Sequence, residues 1–402
     1  MPLIVQKYGG TSVGSINHIQ RVANHVTSEV RAGNSLIVTI SAMGEQTDDL
    51  LAMAKSLNKK PPRRELDMLM TAGERISASL LAIALDTLGV PSVSLTGSQC
   101  GILTDETHGN ARIKKILGDR IRQSIAEKKV VIVAGFQGVS PITREITTLG
   151  RGGTDLSAVA IAAALSANKC QLFKDVDGVF TTDPRVCSSA RVIPKLSWKS
   201  MTALAWNGAN VLHPRSAHLA AKFNVPFEIR SSIHLDREGT LISGEYNVES
   251  PVFEAISYRK NMTQLDISVS AQNANIGYAF AIDWLWQHGE APQFCQVRQR
   301  GTSHSLSLLM KSELSSDFTQ EFCKTFASSV VTDTVDNLSS ISLVGNGFQQ
   351  SPESVKTVSE LIPVNVLNFE ATNTLIAVCV KESDLSTTVA ELHKQLFENQ
   401  AQ

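Results

Sequence analysis

Three glycines in four positions, Gly150, Gly152 and Gly153, surround Arg151, and Thr154 and Asp155 follow before an apolar-rich run, LSAVAIAAAL. Glycines let the main chain turn tightly and bring its N–H groups close to a ligand. Thr154 or Asp155 suits the N-cap of the helix that the run predicts, and a helix start favours anions. Arg151 adds a planar fork matched to a carboxylate or phosphate. The stretch predicts an anion site opening a helix. A plain capped loop–helix junction has the same look, so the reading depends on how often the chain repeats the signal.

It repeats it several times. KYGGTS places Lys7 before Gly9–Gly10 and two hydroxyls, SAMGEQTDDL follows the apolar run SLIVTI, and AGFQGV follows VVIV. The P-loop spacing G-x-x-x-x-G-K is absent, which disfavours a P-loop NTPase. Phosphoryl transfer needs the phosphates held, their charge spread and the nucleophile aligned. Lys7 can neutralise charge on a transferring phosphoryl group, with Asp155 orienting that lysine. Arg151 can clamp a substrate carboxylate, and acids in KDVDGVFTTDPR (Asp175, Asp177, Asp183) can face a nucleotide or its Mg²⁺. A carboxylate acceptor is ionised at neutral pH and needs no general base. That agrees with glycine turns that carry no histidine; His213, in VLHPRSA, reads as structural.

The elements that must position these residues alternate. Strands are predicted at Leu3–Val5, Ser35–Ile40, Val130–Val133, Cys170–Phe173 and Phe227–Ser231, the last of them closing this half. Helices are predicted from Ile16 to a stop at Gly33, as one long helix over 64–88, within Ile113–Lys129 and after Asp155, with a short hairpin over 139–149. Glu74 and Arg75 interrupt the apolar character of the long helix, as a solvated face would. Alternation implies a mostly parallel sheet with helices on both faces, so turns that follow strands gather along one edge. Residues 234–250 read as a linker. Beyond it, Gln264–Val269, Gly277–His288 and Ser303–Met310 suggest strand, helix, strand. Ser340–Val344, Pro352–Leu361 and Thr374–Val380 repeat the order, with a last helix over Leu385–Phe397.

The totals exclude other classes. With 402 residues the chain needs two or three domains, and 43% hydrophobic with 19% charged residues is globular. A net charge of −1 with no basic block argues against nucleic-acid binding. The six scattered cysteines read as reduced, mostly buried thiols, neither a disulfide frame nor a zinc site, and no signal-peptide or membrane-span pattern is evident. The expectation is a cytoplasmic protein that binds neither nucleic acid nor membrane.

KYGGTS, SAMGEQTDDL, TAGERIS, TGSQCGILTD, HGNARI, AGFQGV, TTLGRGGTD, DVDGVFTTDPR and GANVLHPRSA stand in the order and approximate spacing found in the aspartokinases. The chain resembles the monofunctional, lysine-pathway type of that family over about residues 3–245. The resemblance implies an amino-acid kinase domain (residues 1–245; three-layer αβα, mostly parallel sheet) and then two α+β ACT domains (246–402). One ACT unit would span about 263–337, and the other about 252–258 with 339–402. The implied reaction is MgATP-dependent phosphorylation of the L-aspartate side chain, with ATP and Mg²⁺ as cofactors. Carried over by position, Lys7 stabilises the transferring phosphate and Asp155 organises it. Ser41, Thr47, Glu74, Arg151, Gly152, Gly153 and Thr154 fall at substrate positions. Lys7, Tyr8, Gly9, Gly10, Lys174, Asp175, Phe180, Arg185, Asn210 and Val211 fall at nucleotide positions, and no residue falls at a metal position.

The chain departs from the family's pattern at Lys174 (usually Ser or Thr), Asn210 (often Lys) and Phe180 (commonly Tyr). Lys174 is expected to supply the charge that Asn210 lacks. In the C-terminal half, Asn275-Ile276-Gly277 and Ser351-Pro352-Glu353 stand where ACT domains usually place Pro-Gly, and Trp284 and Trp286 are expected to crowd the first unit's helix. Weak or altered feedback by lysine or threonine follows, as does a homodimer or larger assembly through ACT pairing, with a separate ACT subunit a further possibility. Two alternatives stay open: a kinase for another carboxylate, and a non-catalytic kinase-like partner subunit.

Overall fold

The computed structural model describes residues 1–244, 252–290, 293–301 and 303–399, and its chain divides into two compact units. The first comprises Met1–Val179, Val192–Met201 and Asn210–Tyr246, and the second Phe180–Arg191, Thr202–Ala209 and Asn247–Gln402. The expected domain boundary at 245/246 lies outside the described residues.

The first unit opens β1 (Leu3–Tyr8), α1 (Ile16–Arg31), β2 (Ser35–Ile40), α2 (Gln46–Leu57), α3 (Arg63–Met70), α4 (Ala72–Thr87). It continues β3 (Ser92–Leu95), β4 (Ile102–Thr104), β5 (Ile113–Ile116), α5 (Asp119–Ala126), β6 (Val130–Ala134), β7 (Gln137–Val139), β8 (Ile146–Thr148). Then come α6 (Gly153–Ala164), β9 (Lys169–Lys174), β10 (Lys195–Ser197), α7 (Trp198–Trp206, whose end lies in the second unit), α8 (Pro214–Lys222), β11 (Phe227–Ser231) and β12 (Thr240–Ser243). Eight strands form one sheet in the order β10-β12-β11-β9-β1-β2-β6-β3. All its neighbours are parallel except β11 and β12. A smaller sheet, β5-β4-β7-β8, holds the predicted hairpin.

Burial on both faces explains the continuous apolar strands. On one face Ile4, Tyr8, Leu36, Val38 and Ile132 pack with Ile19, Val22 and Val26 of α1 and Leu81 and Leu85 of α4. On the other lies α6, buried from Gly153 to Ala162, which accounts for its lack of a polar stripe. Three sequence expectations change. The long helix over 64–88 breaks at Thr71 into α3 and α4, and Glu74 is buried instead of solvated. Taken across that break, Arg63–Thr87 has the length and apolar content of a membrane span by composition alone, and its Ala78, Leu81 and Leu85 are buried in the core. Phe227–Ser231 is not the last strand, because β12 pairs beyond it.

The second unit continues β13 (Val252–Val269), α9 (Ala274–Gln287), β14 (Gln293–Arg300), β15 (Ser303–Lys311), α10 (Ser312–Thr325), β16 (Val330–Asn346), α11 (Pro352–Leu361), β17 (Asn368–Ala371), β18 (Leu375–Lys381) and α12 (Leu385–His393). Its antiparallel sheet runs β14-β15-β13-β16-β18-β17. One core joins Ile256, Ile341, Leu343, Val378 and Val389, and the other joins Leu265, Ile267, Ala281, Leu306 and Phe318. Both cores thus hang on the two long strands β13 and β16. Trp284 does not crowd the unit: it is buried in the second core, and its indole N–H donates to Glu321 (2.8 Å). Trp286 is partly exposed, 4.9 Å from Trp206.

Candidate active site

The parallel register sets the ends of β1, β2, β6 and β9 on one edge of the sheet. Lys7 pairs with Thr39 and Leu172, and Tyr8 with Ile40 and Phe173. Alternation along β1 turns successive side chains to opposite faces. Tyr8 points into the core, stacked on Phe173 (4.7 Å between centroids) with its hydroxyl donating to Gln6 Oε1, so only its main chain serves the edge. Lys7 faces the other way, toward α6.

There Asp155, in the first turn of α6, bridges two lysines: Oδ1 lies 2.8 Å from Lys7 Nζ and Oδ2 lies 2.5 Å from Lys174 Nζ. Burial alone would push the Asp155 carboxyl up, but Lys174 and Lys7 outweigh it and hold it at about 2. Burial pulls the Lys7 ammonium down to about 8, against the attraction of Asp155 and with added repulsion from Lys174. The group is therefore a net cation, two ammoniums on one carboxylate at a helix start, which favours an arriving polyanion.

Glycines leave room above this group. A Cβ on Gly9 would sit 3.2 Å from Lys7 Nζ, and one on Gly10 would sit 2.9 Å from the Gly44 carbonyl, to which the 42–44 turn is tied by Gly44 N–H donating to Gly10 O. Gly150 and Gly152 adopt positive φ (+77° and +70°), and Gly152 sits beneath the His213 ring. Arg215 fixes this turn from α8, donating to Leu149 O (2.6 Å), Ala111 O (2.7 Å) and Asn110 Oδ1 (2.7 Å). Gly153 and Thr154 are buried beneath the turn, while Arg151 is exposed on it, with no ion-pair or hydrogen-bond partner among the described residues.

Glu74 stands in the first turn of α4, 3% exposed. Its Oε1 accepts the Ala42 N–H (3.2 Å), whereas Oε2 is buried with no hydrogen-bond partner among the described residues. Burial raises its carboxyl to about 7. An unpartnered buried oxygen of this kind is costly until a donor meets it. Ser41 follows β2, and its carbonyl accepts the Ser77 hydroxyl (2.6 Å). Thr47 lies in the first turn of α2.

The remaining sequence candidates fall in different places. Asp175 is exposed just past β9, and Asn210 and Val211 lie in the turn before α8. Phe180 and Arg185 belong to the second unit, where Arg185 pairs with Asp183 (2.8 Å), which also accepts the Tyr258 hydroxyl. Sequence reasoning missed Arg215 and read His213 as structural. His213 caps α8 as a structural residue does, accepting the Arg215 N–H, yet it also lies in the field of Asp155 and Lys174. The signal was a histidine and an arginine flanking the proline of HPR. Asp67 was also missed: buried on α3, it takes His108 Nδ1, the Gly109 N–H and the Thr148 hydroxyl, bracing the strand before the glycine turn.

Comparison with known proteins bears on this geometry. The model of the amino acid kinase family matches residues 2–231. An aspartokinase of Corynebacterium glutamicum is 40% identical, covering 98% of this chain and 96% of that protein. An aspartokinase of Geobacillus stearothermophilus is 40% identical over 98% of this chain and 97% of its own length. In structure, E. coli aspartokinase III, solved with aspartate and ADP, superposes with a TM-score of 0.82 at 23% identity, covering 98% of this chain and all of that one. The fold is that of an amino-acid kinase domain followed by two α+β units of ACT type.

Proposed function

The chain belongs to the aspartokinases of the amino acid kinase family, and we infer that it transfers the terminal phosphoryl group of ATP to the side-chain carboxylate of L-aspartate. The product is 4-phospho-L-aspartate, and the reaction is the first step of aspartate-family amino-acid biosynthesis. The observation that carries the residue assignment is the Lys7–Asp155–Lys174 group at the carboxyl edge of the parallel sheet.

In this reading Lys7 neutralises charge that builds on the transferring oxygens, and Asp155 keeps it aimed there. Lys174 adds the second cation at the nucleotide's phosphates. Glycines 9 and 10 let those phosphates approach the main chain. Glu74 Oε2 receives the substrate ammonium, which would supply the donor it lacks and return the carboxyl to its ionised form. Arg151 takes the α-carboxylate, and Ser41, Thr47 and the 152–154 turn complete the substrate's surroundings. The acceptor carboxylate is its own nucleophile, so no base is required.

Asp155 is ion-paired with both lysines, so Asp175, exposed just past β9, is the carboxylate that would hold a Mg²⁺ arriving with the nucleotide. Held there, Mg²⁺ would supply positive charge against the nucleotide's phosphates. We further propose a cytoplasmic location, assembly as a homodimer or larger through the ACT units, and weak feedback by lysine or threonine.

The test is an acyl-hydroxamate assay with MgATP, hydroxylamine and a panel of amino acids. Turnover with aspartate alone is expected. ATP binding without turnover on any carboxylate would instead mark a non-catalytic, kinase-like subunit.

A further inference from the structure

We propose that the second unit holds a site for a borderline-soft divalent cation, Zn²⁺ by its donor set, formed by Cys187 Sγ, His393 Nδ1 and Glu398 Oε1. These ligand atoms lie within 4.8 Å of one another. His393 Nδ1 is 3.3 Å from Cys187 Sγ and 3.1 Å from Glu398 Oε1, close to the edges of a tetrahedron with metal bonds of about 2.0–2.3 Å. Thiolate, imidazole and carboxylate together select zinc over magnesium or calcium.

Three features of the surroundings point the same way. First, Ser189 Oγ also approaches Nδ1 (3.5 Å) and bonds Glu398. Three groups thus converge on a ring nitrogen that can make one hydrogen bond, whereas one cation would engage the thiolate, ring and carboxylate together. Second, His393 Nε2 lies 2.9 Å from Thr181 Oγ1, which also accepts the Arg191 N–H. Donation of Nε2–H to that oxygen leaves the Nδ1 lone pair facing the other ligands, the outer hydrogen bond that metal-binding histidines ordinarily have. Third, α12 passes into a π-turn over Lys394–Glu398. An α-helix would set residues 393 and 398 roughly 140° apart around its axis, and the wider turn brings them side by side. Such turns recur at functional sites.

His393 is 1% and Cys187 9% exposed, whereas the Glu398 side chain is 40% exposed. The site is therefore walled by protein and open on one side, with Ser189 or water in the fourth position. Binding would release the thiol proton as the Cys187–metal bond forms. It would fasten the 180–191 segment to the end of α12, two stretches about two hundred residues apart in the chain.

The experiment is a titration of the full-length, phosphine-reduced, chelator-stripped protein with Zn²⁺ in competition with a chromophoric chelator. Co²⁺ then replaces Zn²⁺ to reveal the thiolate-to-metal absorption band. One ion per chain with a Kd tighter than about 1 μM is expected, together with a raised Tm. Cys187→Ser should abolish the band, and Cys379→Ser should leave it. Thr181→Val should keep the band and weaken binding by about 10–100-fold. Glu398→Gln changes an exposed side chain and should weaken binding without loss of fold. Less than one ion per chain, a band that survives Cys187→Ser, or unchanged affinity in Glu398→Gln would each overturn the proposal.

Discussion

Lys174→Met is the substitution that most directly probes the charged group. The Lys7 and Lys174 nitrogens lie 2.8 Å and 2.5 Å from the two oxygens of one carboxylate. The two ammoniums can therefore be no more than about 7.5 Å apart, and at an effective dielectric constant near 20 they repel by at least about 2 kcal/mol. Lys7 titrates at about 8 in the free enzyme, so kcat/KM for ATP should hold a plateau below that pH and fall above it as the cation is lost. Deleting Lys174 removes the repulsion and leaves Asp155 to Lys7 alone. Both changes favour the protonated lysine, so the alkaline limb should move up by about 1–2 pH units. The plateau should drop at the same time, through a several-fold higher KM for ATP. Lys174→Arg, which keeps the charge, should leave the limb near its original place. The assay is kcat/KM for ATP from pH 6 to 10 on each variant, with Tm measured to confirm folding. An unmoved limb in a folded Lys174→Met enzyme refutes the electrostatic reasoning; an unchanged KM for ATP refutes the nucleotide role.

Glu74→Gln tests the substrate pocket and gives a stability signature. Glu74 titrates near 7 when folded and near 4.5 when unfolded, so the folded state keeps a proton that the unfolded state has released. Stability should fall by about 3 kcal/mol as pH rises from 4.5 through 7, then level off. Glu74→Gln should remove that slope in urea unfolding and raise KM for aspartate at least about tenfold; the same slope in the variant would count against the assignment. Gly152→Ala should cost about 2 kcal/mol or more, because its Cβ would sit 2.3 Å from His213 Cβ at a φ of +70°. Gly33→Ala, strained at φ +92° but with nothing within 4 Å, should cost about 1 kcal/mol, and equal Tm losses would refute the steric part. Arg215→Met should lower kcat/KM at least about tenfold by loosening the 149–153 turn, and wild-type kinetics would remove its positioning role. Half-inhibition by lysine or threonine should need more than about a millimolar of either, and sensitivity below that would refute weak feedback.

The glycine turns were legible because glycine marks a backbone need that no other residue meets, as the positive φ at Gly150 and Gly152 shows. Alternation of buried strands and helices made the parallel sheet legible for a similar reason. Burial of Glu74 was not. A carboxylate two residues into a helix looks the same in sequence whether the helix start faces solvent or the end of β2. The missed α7, WKSMTALAW, carries too few charges to show a polar stripe. Only Gln264–Val269 of β13 was read as strand, because Arg259, Lys260 and Asn261 interrupt the pattern before it. The structure keeps it one strand by bulging there, with Asn261 at φ +55°. Cys187, His393 and Glu398 stand too far apart in sequence for spacing to connect them.

β13 and β16 each lend one half to one core of the second unit and the other half to its neighbour. The core around Leu265 draws its residues from 265–331, whereas the core around Ile256 needs both that residue and the stretch from Ile341 to Phe397, so a cut near residue 338 spares the first and breaks the second. A truncation removing residues from 340 onward would strip from Ile256 its partner Leu343 but leave Leu265 paired with Leu308 of β15. The dependence therefore runs one way: the split core cannot be kept without residues that precede the contiguous one. Joining 252–258 directly to 339 would make the split core contiguous as well.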